Sequence, residues 1–175
     1  GSDRLAIAGE DIVINQVTYS PEPTPGSVVI THDDGALPVQ TIDFSGLEPV
    51  LDFTAAATLV VNATNASNAI NYSDGGIFDP TPLAPGSGDE FSTGLISIDG
   101  QETIRFANKT NLVINGLAGN DTINLNNPTV PAGLTGTITV KDQYGWDFTG
   151  LPTAGVLAWN PSMAFGNVTA SRQAA

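Results

Sequence analysis

The feature that most constrains this chain is that it repeats itself. Ile42-Asp43-Phe44-Ser45-Gly46-Leu47-Glu48-Pro49-Val50 matches Ile96-Ser97-Ile98-Asp99-Gly100-Gln101-Glu102-Thr103-Ile104 at an offset of 54. Leu59-Val60-Val61-Asn62 then matches Leu112-Val113-Ile114-Asn115, and Asn68-Ala69-Ile70-Asn71 matches Asp121-Thr122-Ile123-Asn124, both at an offset of 53. One deletion reconciles the offsets, and three blocks in the same order mark two tandem copies, 41–94 and 95–147. Weaker echoes flank them: Asp11-Ile12-Val13-Ile14-Asn15 resembles the Leu-Val-Ile-Asn block, and Phe148-Thr149-Gly150-Leu151 resembles Phe44-Ser45-Gly46-Leu47. Residues 1–40 therefore read as an N-terminal partial repeat or cap, and 148–175 as an aromatic C-terminal cap or partial repeat.

The repeated blocks are runs of four or five Val, Ile, Leu and Thr residues, too short for helices and bounded by Gly, Pro, Asp and Asn. This is strand and turn chemistry, so the chain is expected to be all-β. A short unit that cannot bury its apolar face alone must stack on its neighbour. The expected architecture is a repeat-built β-solenoid of the parallel β-helix kind, with a β-sandwich as the alternative. In a stack, Asn62 and Asn115, and likewise Asn71 and Asn124, would form side-chain ladders.

Charge and composition exclude partners. Eighteen acidic residues against five basic ones give a net charge of −13 in 175 residues. Nucleic acid and anionic membrane would both repel such a chain. No apolar run approaches the roughly 18 residues of a membrane-spanning helix, so no membrane insertion is expected. The absence of cysteine removes thiolate catalysis, thiolate metal sites and disulfides. Gly1-Ser2-Asp3-Arg4 does not read as a signal peptide; if Gly1-Ser2 is an expression scar, the chain is an excised piece of a longer one.

The sharpest motif is Gly116-Leu117-Ala118-Gly119-Asn120-Asp121-Thr122-Ile123-Asn124, which fits the calcium-binding nonapeptide G-G-x-G-x-D-x-U-x except at Leu117. Asn120 and Asp121 are the candidate Ca²⁺ ligands. The equivalent block in the first copy, Ala63 to Asn71, lacks both glycines and has Asn68 for the aspartate, so a plain turn is the competing reading. His32-Asp33-Asp34-Gly35 reads as a tight turn. Glu48 and Glu102 occupy equivalent positions and would make a carboxylate pair of the glycosidase kind, although duplication alone explains the recurrence, and Arg105 offers Glu102 an ion-pair partner. No serine elbow accompanies the lone His32. Tyr144, Trp146 and Trp159 gather in the tail and form either a sugar-stacking platform or a cap over the β core.

The blocks Ile104 to Gly116, Gly119 to Asn124 and Phe44 to Val50 resemble repeat regions of giant secreted bacterial surface proteins, which mix hemolysin-type calcium-binding-like repeats with adhesin modules. The resemblance covers 41–75 and 95–140. It implies an extracellular or cell-surface location and a non-enzymatic, structural or adhesive role: a spacer, stalk or self-assembling subunit. The partners it implies are copies of the same protein or neighbouring repeats, with surface glycans as a further class. A carbohydrate-binding or carbohydrate-cleaving solenoid and a calcium-stabilised repeat are the alternatives.

Overall fold

The computed structural model describes residues 5–7, 14–21, 26–32, 39–44, 49–80, 90–141, 147–150, 152–153, 156–157 and 169–171. These residues are all-β, with no helix among them. A first seven-stranded sheet has the spatial order β1 (Leu5–Ile7), β5 (Val50–Asp52), β9 (Ile104–Phe106), β8 (Phe91–Ile98), β7 (Ala69–Phe78), β11 (Thr122–Asn126) and β16 (Thr169–Ser171). A second has the order β13 (Asp147–Gly150), β12 (Ile138–Lys141), β10 (Lys109–Asn115), β6 (Ala56–Asn62), β2 (Ile14–Ser20), β3 (Gly26–His32) and β4 (Gln40–Phe44). Strands β14 (Pro152–Thr153) and β15 (Val156–Leu157) form a separate hairpin.

Both sheets are mixed, and their parallel pairs follow the internal repeat. Val50 pairs with Ile104, Leu59 with Leu112 and Ile70 with Ile123, so β5, β6 and β7 of the first copy lie beside β9, β10 and β11 of the second. Strands β1 and β2 extend the same ladders on the N-terminal side, and β12 extends the β10 ladder on the other. The antiparallel members are β8, between β7 and β9; β3 and β4, beside β2; and β13, beside β12.

Two details of the repeat differ from the sequence reading. The N-terminal segment stacked on Leu59–Val61 is Val17–Tyr19, not Asp11–Asn15. Register follows the inward side chains, and Val17 and Tyr19 are the pair that reaches the core there. Ile42–Phe44 and Ile96–Ile98, alike in sequence, lie in different sheets: the former pairs with β3 and the latter with β7. Each is the second arm of an antiparallel hairpin, and the hairpins grow from different sheets.

Val17, Tyr19, Leu59, Val61, Leu112 and Ile114 from the second sheet and Val50, Ile70, Ile96, Ile104, Phe106 and Ile123 from the first form one buried apolar cluster. Fully burying each such side chain contributes about 1.5–3 kcal/mol. The Tyr19 hydroxyl donates to the Glu102 carbonyl at 2.6 Å, linking the second sheet to the turn before β9. The expected asparagine ladders are present: Asn115 Nδ2 donates to Asn62 Oδ1 at 2.6 Å, and Asn124 Nδ2 to Asn71 Oδ1 at 2.8 Å. Ser20 continues the first ladder by accepting from Asn62 Nδ2 at 3.0 Å.

Burial raises the pKa of Tyr19 and of Tyr72 well above the ordinary 10.0. Desolvation is the largest cause, and the charges of Glu102 and Asp74 respectively add to it, while a hydrogen bond with Asn127 lowers Tyr72. The native state thus holds these protons at pH values where the unfolded chain releases them. Their contribution to stability is complete below pH 10 and is lost as pH rises toward the folded-state values. Urea midpoints measured across this range, with tyrosinate absorbance followed in parallel, should fall above pH 10. A flat midpoint would contradict the assignment.

Candidate functional site

The site that the structure singles out is a buried ion pair at the seam between the two copies. Asp52 ends β5, Lys109 begins β10, and both side chains are 0% exposed with Nζ 2.9 Å from Asp52 Oδ1. The corner after β5 is Phe53-Thr54-Ala55, whereas the corner after β9 is only Ala107-Asn108. The single deletion between the copies falls here: Asp52 pairs with Phe106 at an offset of 54, and Ala56 with Lys109 at 53. Asn108 has φ 59°, its N–H donates to the Ala132 carbonyl at 2.6 Å, and its own carbonyl accepts from Ala56 N at 3.0 Å. Gly133 is required beside it, because a Cβ there would come within 2.6 Å of the Asn108 Cα.

Lys109 Nζ donates to Asp52 Oδ1 at 2.9 Å, to the Thr54 carbonyl at 2.5 Å and to the Ala107 carbonyl at 3.1 Å, with the Asp52 carbonyl and Thr54 Oγ1 at 3.4 Å. Asp52 Oδ1 also accepts from Thr54 N at 3.1 Å and from the Thr54 hydroxyl at 2.6 Å. Oδ2 of the same carboxylate is buried with no hydrogen-bond partner. Desolvation, the largest influence, lowers the Lys109 pKa; the charge of Asp52 and its hydrogen bond pull the other way. A dry amine and a dry carboxyl are thus held in contact, with one oxygen polarised by two donors and the other left bare.

A second polar corner contains the nonapeptide. Asp121 Oδ1 accepts from Asn68 N at 2.9 Å, Asn68 Nδ2 donates to Asp99 Oδ2 at 2.7 Å, and Asp99 Oδ1 accepts from Ala69 N at 2.7 Å. Asn68 Oδ1 is taken by the Thr64 N–H and hydroxyl. Desolvation raises the Asp121 pKa, the Asn68 N–H lowers it, and Asp99 raises it further. Asn120 is exposed and donates its backbone N–H to Ser67 Oγ at 3.0 Å. Gly119 has φ +115°, and a Cβ there would run into the Ala66 carbonyl. The motif's third glycine thus permits close stacking of one copy on the other.

These donors do not make a calcium set. Ca²⁺ takes about six to eight oxygens, whereas both Asp99 oxygens, Asp121 Oδ1 and the Asn68 carbonyl oxygen already accept from the chain's own N–H and O–H groups. Among the described residues, no group of three or more His, Cys, Asp or Glu side chains is arranged to hold a metal. A melting curve with and without a chelator should give the same midpoint; a drop on chelation would show that the corner reorganises around an ion.

Tyr144, Trp146, Trp159, Glu48 and Asp33–Gly35 lie outside the described residues. Arg105, expected near Glu102, points elsewhere: Nε donates to Thr93 Oγ1 at 2.9 Å, Nη2 to the Ile77 carbonyl at 3.0 Å, and its guanidinium sits 5.2 Å from the Phe78 ring centre. That ring, with Phe53 and Phe91, forms a small aromatic cluster that holds the arginine by cation–π attraction.

Sequence reasoning missed Lys109. Strict alternation back from Leu112 sends it outward, but the pairing steps from Lys109↔Ala56 directly to Asn111↔Thr58, and Lys109 turns inward. Ile14 and Ala56 fill the same inward position on β2 and β6. A lysine aligned with an alanine between matched copies was the available signal. No protein-family model matches the chain, and no curated protein or solved structure shows significant similarity to it.

Proposed function

We infer that this chain is a structural repeat module of a secreted or cell-surface protein, serving as a spacer, stalk or self-assembling subunit, with its copies wound in the manner of a β-solenoid. The observation that carries this reading is the stacking of equivalent residues: strands 53 or 54 residues apart lie side by side in register, and their asparagines bond to one another. A surface built this way grows by adding copies, and the first sheet ends on the ladder strand β1, which among the described residues pairs only with β5 and offers an edge to a further copy. The net charge of −13 keeps such a surface solvated.

Sedimentation velocity over a concentration series tests the assembly reading. End-to-end association should appear as species of rising mass and frictional ratio. A strictly monomeric protein at the highest concentrations would remove self-assembly and leave the spacer role, which rests on further copies within one chain.

A further inference from the structure

We propose that Lys109 and Asp52 form an intramolecular amide, a covalent bond joining the second copy to the first. Nζ is already 2.9 Å from Asp52 Oδ1, in a pocket where neither side chain touches water. Proton transfer along that hydrogen bond converts ammonium and carboxylate into amine and carboxylic acid, a neutral pair that a dry site favours. Burial also lowers the lysine's proton affinity, in the direction this step requires.

The rest of the site fits the addition that follows. The amine lone pair attacks Asp52 Cγ, forming the C–N bond. Oδ1 carries the transferred proton and is the leaving oxygen, and the Thr54 N–H and hydroxyl, at 3.1 and 2.6 Å, stabilise the charge that moves onto it as its bond to carbon weakens. Oδ2, buried without a partner, stays on the carbon and becomes the amide carbonyl oxygen. The Thr54 hydroxyl lies 2.6 Å from Oδ1 and 3.4 Å from Nζ, placing it to relay the second proton from nitrogen to the leaving oxygen. The C–Oδ1 bond breaks and one water leaves, composed of Oδ1 and two of the three ammonium hydrogens. The third remains as the amide N–H, facing the Thr54 and Ala107 carbonyls that Nζ contacts. No oxidant, cofactor or activated intermediate is needed. The bond would close a loop across the 57-residue separation of the two partners, and this holds whether or not the module bears load.

Intact mass of the full chain, denatured after prolonged incubation in native buffer, decides the matter. The expected result is a mass lighter than the sequence by one water, with a branched peptide containing Asp52 and Lys109 after digestion. Thr54→Val should slow the loss at least tenfold and Thr54→Ser restore it, while protein held in urea loses none. Full sequence mass after incubation overturns the proposal. So does a lost water that maps to Asp74-Gly75 or Asp99-Gly100 as a succinimide, without a branched peptide. The wild-type mass is read whether or not a variant folds.

Discussion

Replacing Lys109 with methionine is expected to destabilise the protein by about 3–5 kcal/mol relative to freshly prepared wild type in which the pair is still non-covalent, the usual cost of removing one partner from a buried ion pair. The loss has a specific origin. Asp52 is 0% exposed, and without the ammonium its charge has only the Thr54 N–H and hydroxyl for compensation. The Thr54 and Ala107 carbonyls lose their shared donor at the same time. Adding Asp52→Asn to Lys109→Met removes the stranded charge while leaving Thr54 an acceptor. The double variant should return to within about 2 kcal/mol of wild type, as neutralised buried pairs commonly do. Urea unfolding with an unchanged slope provides the measurement. A double variant as weak as the single one would show that the carbonyl contacts, rather than the charge, hold the seam.

Phe106→Ala should be of similar size, about 3–5 kcal/mol, for an apolar reason. Phe106 is fully buried on β9, and its ring lies 6.1 Å from that of Tyr72 on β7 at an interplanar angle of 27°. Between these strands runs β8, where Gly94 pairs with Phe106. A Cβ on Gly94 would come within 2.8 Å of the Phe106 ring and 2.9 Å of Pro131 Cγ. The aromatic ring therefore fills space that a glycine leaves open, and truncating it creates a cavity walled by backbone that cannot easily collapse. A loss below about 1 kcal/mol would mean that β8 relaxes into the gap. Gly94→Ala, which crowds the same contact from the other side, should also destabilise, by roughly 1–3 kcal/mol.

The ladders were legible because duplication leaves a measurable spacing. Once Leu59 is aligned with Leu112 and Ile70 with Ile123, parallel stacking and the Asn62–Asn115 and Asn71–Asn124 bonds follow from strand geometry. The antiparallel strands were harder to see. Ile42–Phe44 and Ile96–Ile98 look equivalent, yet which sheet each joins depends on the hairpin preceding it, and local composition carries no mark of that choice. Lys109 was hidden for a third reason: strand alternation is a reliable guide only while a strand stays regular, and although the 53-residue register holds, the pair between Lys109↔Ala56 and Asn111↔Thr58 is missing and Lys109 faces inward. The nonapeptide was visible, but its glycine answers to the proximity of Ala66, whereas the motif alone points to an ion.

The antiparallel strands at both margins of the second sheet, β4 at one and β13 at the other, carry a further consequence. Between them the β2–β6–β10–β12 ladder has one direction, and its central strands β6 and β10 carry matching Leu-Val-Val-Asn and Leu-Val-Ile-Asn blocks. Another 53-residue copy inserted inside that ladder would meet the same neighbours above and below, and neither margin would need to change. Each insertion would lengthen the sheet by one interstrand step of about 4.8 Å. A ladder of this kind would change length by counting copies, in fixed increments, without redesigning how the sheet ends.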